Sequence, residues 1–324
     1  MSTSSHPRTT SASTTARIEW IDGARGGAMV LLLVWHAASI PEVLGTPMPR
    51  VVETLNDGLH LVRMPLLMFL SGMVAVRALS RPAGVYYRGK LATLAWPYVL
   101  WALLDMTTYD HLPLTEPWSW DGTGYLWFLF FVLCFSLVAP LLRRVPAWLV
   151  AAVAVVGAST AHLPFPDDDM LFYAVFFFAG LAAAQRPELF AAVLRSIWIV
   201  VPCALVGATA CVLWAMGHHP NEGHVAPLAL AGVVAVVAGV SRIPRHPPAL
   251  QRIGRRSIVW YLVHFPLMHL AVVLLDRSGL DAPWVVYFVV ALALAVLVCP
   301  LVVRLADRAP TKWLFSAPPP LSAR

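Results

Sequence analysis

Apolar residues fall into ten long runs, near 24–41, 61–79, 91–108, 124–142, 147–163, 170–185, 196–216, 225–241, 257–275 and 284–305. Between many of them lie short breaks rich in proline, glycine, histidine or arginine, such as "SRPAG", "RRVP", "HHPNEG" and "RIPRHPP". Such clusters interrupt regular structure. A hydrocarbon core about 30 Å thick is crossed by roughly 20 apolar residues in a helix, with a range of about 17–25. The pattern therefore predicts an all-α, polytopic protein whose partner is a lipid bilayer, with ten transmembrane helices.

Charge offers an independent check on that count. With a cytoplasmic N-terminus, ten crossings leave both termini and every second loop inside. All of the 23 Lys and Arg residues except Arg50, Arg63 and Arg277 then fall on the cytoplasmic side. That bias is the usual mark of orientation in a cell (inner or plasma) membrane. Most acidic residues, among them Asp167, Asp168 and Asp169, fall on the opposite side. The expected organisation is a disordered, Ser/Thr-rich cytoplasmic tail over 1–19, a membrane domain over 20–308 and a cytoplasmic C-terminal tail over 309–324.

Composition agrees. Hydrophobic residues make up 59% of the chain and charged ones 12%, against roughly 45–50% and about 25% in soluble domains. The net charge of +6 is spread over loops as the topology requires, and the outer face is acidic, so nucleic acid is not an expected partner. The four cysteines form no C-x-x-C pair, which argues against a zinc site or a disulfide framework.

The informative residues are the polar ones that interrupt the apolar runs. A charge in mid-membrane costs on the order of 2.5–3.5 kcal/mol on insertion scales and marks function by default. The stretch "ARGGAMVLLLVWH" begins with Arg25 and ends in His36. Eleven steps of about 100° bring the two onto one helix face, separated by roughly 16 Å of rise. Arg25 is expected at the cytoplasmic mouth and His36 near mid-depth, both facing the bundle. A snorkelling arginine and a core histidine bonded to a carbonyl are the alternative.

In "RMPLLMFLSGM", Ser71-Gly72 sits at mid-depth, where small residues permit close helix approach and a serine bonds across an interface. Arg63 lies near the outer interface, where snorkelling accounts for it. In "GRRSIVWYLVHF", Ser257, Tyr261 and His264 share one stripe at i, i+4 and i+7, a pattern expected of a cavity wall. Trp118, Trp120 and Trp127 fit an interfacial aromatic belt, with stacking on a sugar as the alternative.

Together these stretches resemble the integral-membrane acyltransferase 3 family. "DGARGGAMVLLLVWH" is similar to its first-helix signature of arginine, ten residues and histidine, and "MPLLMFLSGM" to its Met-Pro…Ser-Gly helix. "YRGKLATLAWPYVLW" is similar to its basic run leading into Pro-Tyr, "LWFLFFVL" to its Trp-Phe-Leu helix, and "IGRRSIVWYLVHFPL" to its Gly-x-x-Ser…Tyr-Leu-x-His ending. The resemblance is to the short form without a fused esterase-like domain, so any second step falls to a separate protein.

The resemblance implies transfer of an acyl group, acetyl first among the candidates, from cytoplasmic acyl-CoA to a hydroxyl. It implies His36 and Arg25 as catalytic residues, and Arg25, Arg88 and Lys90 as contacts for the CoA phosphates. Gly89 and Thr93 stand where relatives often carry arginine, so donor contacts shift toward Arg25 or Arg77. Ser71 and Tyr261 are candidate oxyanion donors, with Ser257 and His264 in support. No metal is expected, because a thioester is already activated and no ligand cluster is apparent.

The implied acceptor is a carbohydrate or glycoconjugate. O-acylation of a small secondary metabolite stays open, as does a transporter or flippase for a sugar or lipid-linked intermediate, which would also show polar groups at mid-depth. Neither a half-to-half repeat nor paired intramembrane carboxylates support transport; Asp105 lies close to a helix end. Acyl chain length, side of acceptor entry and oligomeric state are not legible.

Overall fold

The computed structural model describes residues 12–108, 111–122, 124–161, 167–219 and 222–319. Of the tail expected over 1–19, residues 1–11 lie outside this set; the first helix begins at Ala12. The described residues are helical, without strands. In chain order the helices are α1 (Ala12–Val43), α2 (Arg50–Gly58), α3 (His60–Leu79), α4 (Ala83–Lys90), α5 (Trp96–Thr108), α6 (Trp127–Val138) and α7 (Ala147–Thr160). They continue with α8 (Asp167–Gln185), α9 (Pro187–Arg195), α10 (Ile197–Ala215), α11 (Glu222–Ser241), α12 (Pro248–Arg255), α13 (Ser257–Arg277) and α14 (Trp284–Leu305).

Each of the ten apolar runs is helical, but the helices differ in length. Among the described residues, six stretches are long and apolar enough to cross a membrane: 19–43, 50–79, 197–215, 223–241, 257–277 and 284–305. A bent pair makes a seventh if α8 and α9 count together; they meet at 104°, with Pro187 opening the new helix. The shorter apolar helices are Gly124–Val138 and Ala147–Thr160. At about 1.5 Å per residue these reach only some 20 Å. Length thus carries six or seven crossings among the described residues, and the expectation of ten rests on the charge pattern alone.

Lipid would leave open-chain backbone unsatisfied, which is why apolar segments become helices and why prolines inside them are tolerated. Pro97 shows how. The preceding turn, Leu91–Ala95, is a π-helix, in which Pro97 would donate to Ala92 five residues back, but proline has no N–H. The Ala92 carbonyl instead accepts from Ala317 N at 2.9 Å. The indole nitrogens of Trp96 and Trp101 donate to Trp313 O and Leu314 O at 2.7 and 2.9 Å. The segment expected to be the cytoplasmic C-terminal tail is thus docked along this helix as far as Ala317.

Packing is closest at glycines that face each other across helix pairs. A Cβ built on Gly72 of α3 would lie 1.9 Å from Phe177 O of α8, and one on Gly180 of α8 would lie 2.0 Å from Phe69 O of α3. α1 and α12 repeat the arrangement: Gly26 against Leu250 O at 2.0 Å and Gly254 against Asp22 O at 1.9 Å. A third pair, Gly207 and Gly232, joins α10 to α11. The close approach expected at Ser71-Gly72 is thus made by Gly72 against α8. By contrast α10 presents most of its surface outward, with Trp198 at 88% exposure, as a lipid-facing helix should.

Gly180→Leu should therefore lower the thermal unfolding midpoint in detergent by the equivalent of about 1–3 kcal/mol, the usual cost of overpacking. Gly239→Ala, where an added Cβ meets nothing within 4 Å, should leave it unchanged or slightly raised. Differential scanning fluorimetry of both variants checks the contrast.

Candidate active site

α1 and α13 run side by side, and their polar residues meet in order. Arg25 Nη2 donates to Ser257 Oγ at 2.8 Å, and eleven residues on, the His36 ring lies 5.1 Å from the His264 ring, centroid to centroid. Two contacts in the same order along both helices mean that the helices run parallel. The expectation that Arg25 and His36 face the bundle, and that Ser257 and His264 share a stripe, describes these contacts. Arg25 is held further by its surroundings. Asp22 lies one turn earlier, and its carboxylate reaches Arg255 Nη1 at 3.9 Å.

His264 is fully buried. Its Nδ1 lies 3.0 Å from the Trp260 carbonyl. A carbonyl only accepts, so Nδ1 carries the proton and Nε2 presents a lone pair. That Nε2 has no hydrogen-bond partner among the described residues. Helix geometry thus fixes one tautomer of one imidazole beside a second imidazole. His36, half-buried, also meets the Phe265 ring edge-on at 5.2 Å.

His36 reaches a cavity of about 240 Å³ that His264 does not line. Its walls are Trp35 and Leu32 from α1, His60, Arg63 and Met64 from α3, Asp169 and Tyr173 from α8, together with Tyr125, Trp127 and Tyr261. Arg25 is not among them. The two signature residues therefore share a helix and a partner helix, but not this cavity, which lies on the His60–Asp169 side of His36.

Arg63 corrects the sequence reading most. It was expected to snorkel at the outer interface, yet it is 3% exposed. Its guanidinium lies over the Trp35 ring, 4.6 Å from the centroid, a cation–π arrangement. Its Nε and Nη1 are buried without hydrogen-bond partners among the described residues. The reason is α2: helix 50–79 is nearly continuous over 30 residues, so Arg63 sits far from a free helix end.

Two hydroxyls of the sequence reading are already hydrogen-bonded to main-chain carbonyls. Ser71 Oγ donates to Leu67 O at 2.8 Å within its own helix, and Ser71 is absent from the cavity wall. Tyr261 lines the cavity, but its hydroxyl donates to the Tyr125 carbonyl, while Tyr125 donates back to Leu262 O at 2.9 Å. This reciprocal clasp engages the Tyr261 hydroxyl, as Leu67 O engages that of Ser71.

The basic run is separate. Arg88 is exposed and its Nε donates to Gly84 O at 3.3 Å. Lys90 Nζ lies 5.6 Å from the Tyr86 ring centroid, and burial pulls its ammonium down to about 8. Thr93 donates to Gly89 O at 2.8 Å, and Arg77 is exposed. α4 packs on α3 and α6, whereas the partners of Arg25 belong to the α12–α13 segment. Of the three tryptophans, Trp118 is exposed, Trp120 donates to Leu114 O at 3.0 Å, and only Trp127 reaches the cavity.

No protein of curated function and no solved structure matches the chain. The family model described as an acyltransferase domain matches residues 18–304, a span that takes in His36, His264, Arg25, Arg63 and α2 to α13 entire. The chain therefore belongs to the acyltransferase 3 family of membrane acyltransferases.

Proposed function

We propose that the protein moves an acyl group, acetyl in the first instance, from cytoplasmic acyl-CoA to a hydroxyl of a carbohydrate or glycoconjugate, with His36 as the base. One observation carries this reading: His36 stands on the wall of an aromatic cavity with a tautomer-fixed imidazole behind it and a buried guanidinium on the same wall. A base oriented by a third group is the recurring arrangement for activating a hydroxyl.

The acceptor hydroxyl attacks the thioester carbonyl carbon while His36 takes its proton. A C–O bond forms, the C–S bond breaks, and the imidazolium returns the proton to the CoA sulfur. His264, whose Nε2 lone pair is unpartnered among the described residues and whose ring lies 5.1 Å from that of His36, becomes the acceptor for the His36 N–H as substrate seats, which turns the other His36 nitrogen toward the acceptor hydroxyl. Arg63 supplies N–H donors to the oxygen that becomes negative on the way, the role for which preorganised donors are most effective.

Arg25, Lys90 and Arg88 act at the opposite end, where guanidinium and ammonium groups suit the CoA phosphates. The acceptor then enters from the His60–Asp169 side and the donor from the Arg25 side. The cavity admits a single sugar ring or a small metabolite equally, and mass spectrometry of cell-surface glycans and extracts from deletion and wild-type strains separates the two. No observation favours transport.

His36→Ala should reduce acyl transfer from radiolabelled acetyl-CoA to cell-surface material by about 10²–10⁴-fold, the usual share of general base catalysis, with protein level in the membrane unchanged. Substrate flux that needs no CoA and survives this substitution would instead identify a transporter.

Arg63→Met and Arg25→Ala should separate kinetically. Loss of an oxyanion donor costs about 10²–10³-fold in kcat with little change in KM for acyl-CoA, while loss of a phosphate contact raises KM. Steady-state kinetics of the protein in nanodiscs distinguishes them.

Lys90 carries its charge below about pH 8 and loses it above. KM for acyl-CoA should therefore rise as pH passes upward through about 8, and Lys90→Met should have the high KM at every pH.

A further inference from the structure

A larger cavity than the one at His36 lies elsewhere. About 780 Å³ of space lies between α7, α8, α9 and α11, with Phe69 of α3 at its base. Its depth is apolar, walled by residues such as Ala151, Val155, Val175 and Leu230. Its mouth is basic: Arg143 and Arg144 come from the turn before α7, and Arg186 from the break between α8 and α9.

All three arginines are exposed, and among the described residues none has a side-chain hydrogen bond or ion pair. No carboxylate lines the cavity. The 104° bend at Arg186 turns α9 across the end of the bundle instead of continuing α8. Leu189 and Val193 of α9 thereby become part of the wall, and Arg186 is left at the rim. The outer face of α7 is apolar and exposed at Trp148, Val153 and Val156, so the crevice adjoins surface that lipid covers. Trp148 lies at the mouth itself, at the level where tryptophan marks the membrane–water boundary.

A triple cation at the boundary above an apolar cleft between helices matches one ligand chemistry: a phosphodiester carried on acyl chains. We propose that this crevice binds an anionic phospholipid from the leaflet at the Arg143–Arg186 end. Its phosphate is held by the three guanidiniums and its chains lie along α7 and α8. Guanidinium forks pair bidentately with phosphate oxygens, and basic pockets between transmembrane helices are the recurring site for acidic headgroups. A zwitterionic lipid would place its choline among the same cations and be disfavoured.

The test uses the full chain, reconstituted in nanodiscs of phosphatidylcholine with or without phosphatidylglycerol. It reads lipid retained on release by native mass spectrometry and the thermal midpoint. Wild type should retain phosphatidylglycerol in preference to phosphatidylcholine and unfold at a higher temperature in its presence. The variant Arg143→Gln/Arg144→Gln/Arg186→Gln should lose that preference by roughly tenfold or more, as expected for removing three cations near an acidic surface. The charge-matched control Arg81→Gln/Arg252→Gln/Arg308→Gln should keep it.

Equal retention of the two lipids by wild type overturns the proposal, as does a preference that survives the triple variant. Glycerol 1-phosphate binding as tightly as the intact lipid would remove the acyl chains from the site. Displacement of phosphatidylglycerol by free CoA would reassign the arginines to the nucleotide. None of these readouts requires acyl transfer, so they stand or fall apart from the proposed reaction.

Discussion

Two helices that meet in a bilayer expel lipid instead of water, so little hydrophobic gain holds them together. What remains is contact, and this acyltransferase makes it backbone to backbone. Gly26 and Gly254 seat α12 against α1, while Gly72 and Gly180 seat α8 against α3. Both seams set the site. Arg25 is the neighbour of Gly26, and Ser257, its hydrogen-bond partner, follows Gly254 by three residues. Arg63 lies nine residues before Gly72 on α3, and Tyr173 and Asp169, opposite it, lie before Gly180 on α8. Positions of these polar groups therefore follow from how closely two pairs of helices approach.

The seams leave polar atoms where water is scarce. His264 Nε2 and two nitrogens of Arg63 have no partner among the described residues, and a buried unsatisfied donor or acceptor costs about 1–3 kcal/mol, more for a charged group. The stacking of Arg63 on Trp35 offsets part of that cost. Substrate would supply the rest, which is the sense in which such a site is prepared for a charge that appears only during reaction.

Much of this was legible in the sequence, for identifiable reasons. All ten apolar runs became helices because in lipid an apolar run has no other way to satisfy its backbone. His36, His264, Ser257 and Arg25 stood out because each interrupts hydrocarbon, and each found a polar neighbour. Arg63 was misread because its burial depends on α2 extending the helix and on Trp35 arriving from another one, neither visible in local pattern. The partners of Ser71 and Tyr261 were hidden for a different reason: a hydroxyl in a helix competes for nearby carbonyls, and the Leu67 and Tyr125 carbonyls accept their hydrogen bonds. The bend at Arg186 and the docking of residues 311–317 on α5 depend on tertiary contacts that no periodicity announces.

The facing glycines also limit how this chain can change. In an ordinary core, a residue that becomes too large is accommodated when its neighbour becomes smaller. At Gly72, Gly180, Gly26 and Gly254 the obstacle is a carbonyl oxygen of the opposing main chain, present whatever side chain stands there. No second mutation can make room for the first. These four positions are closed to compensation, and the freedom to vary in sequence is pushed outward, toward the faces that meet lipid.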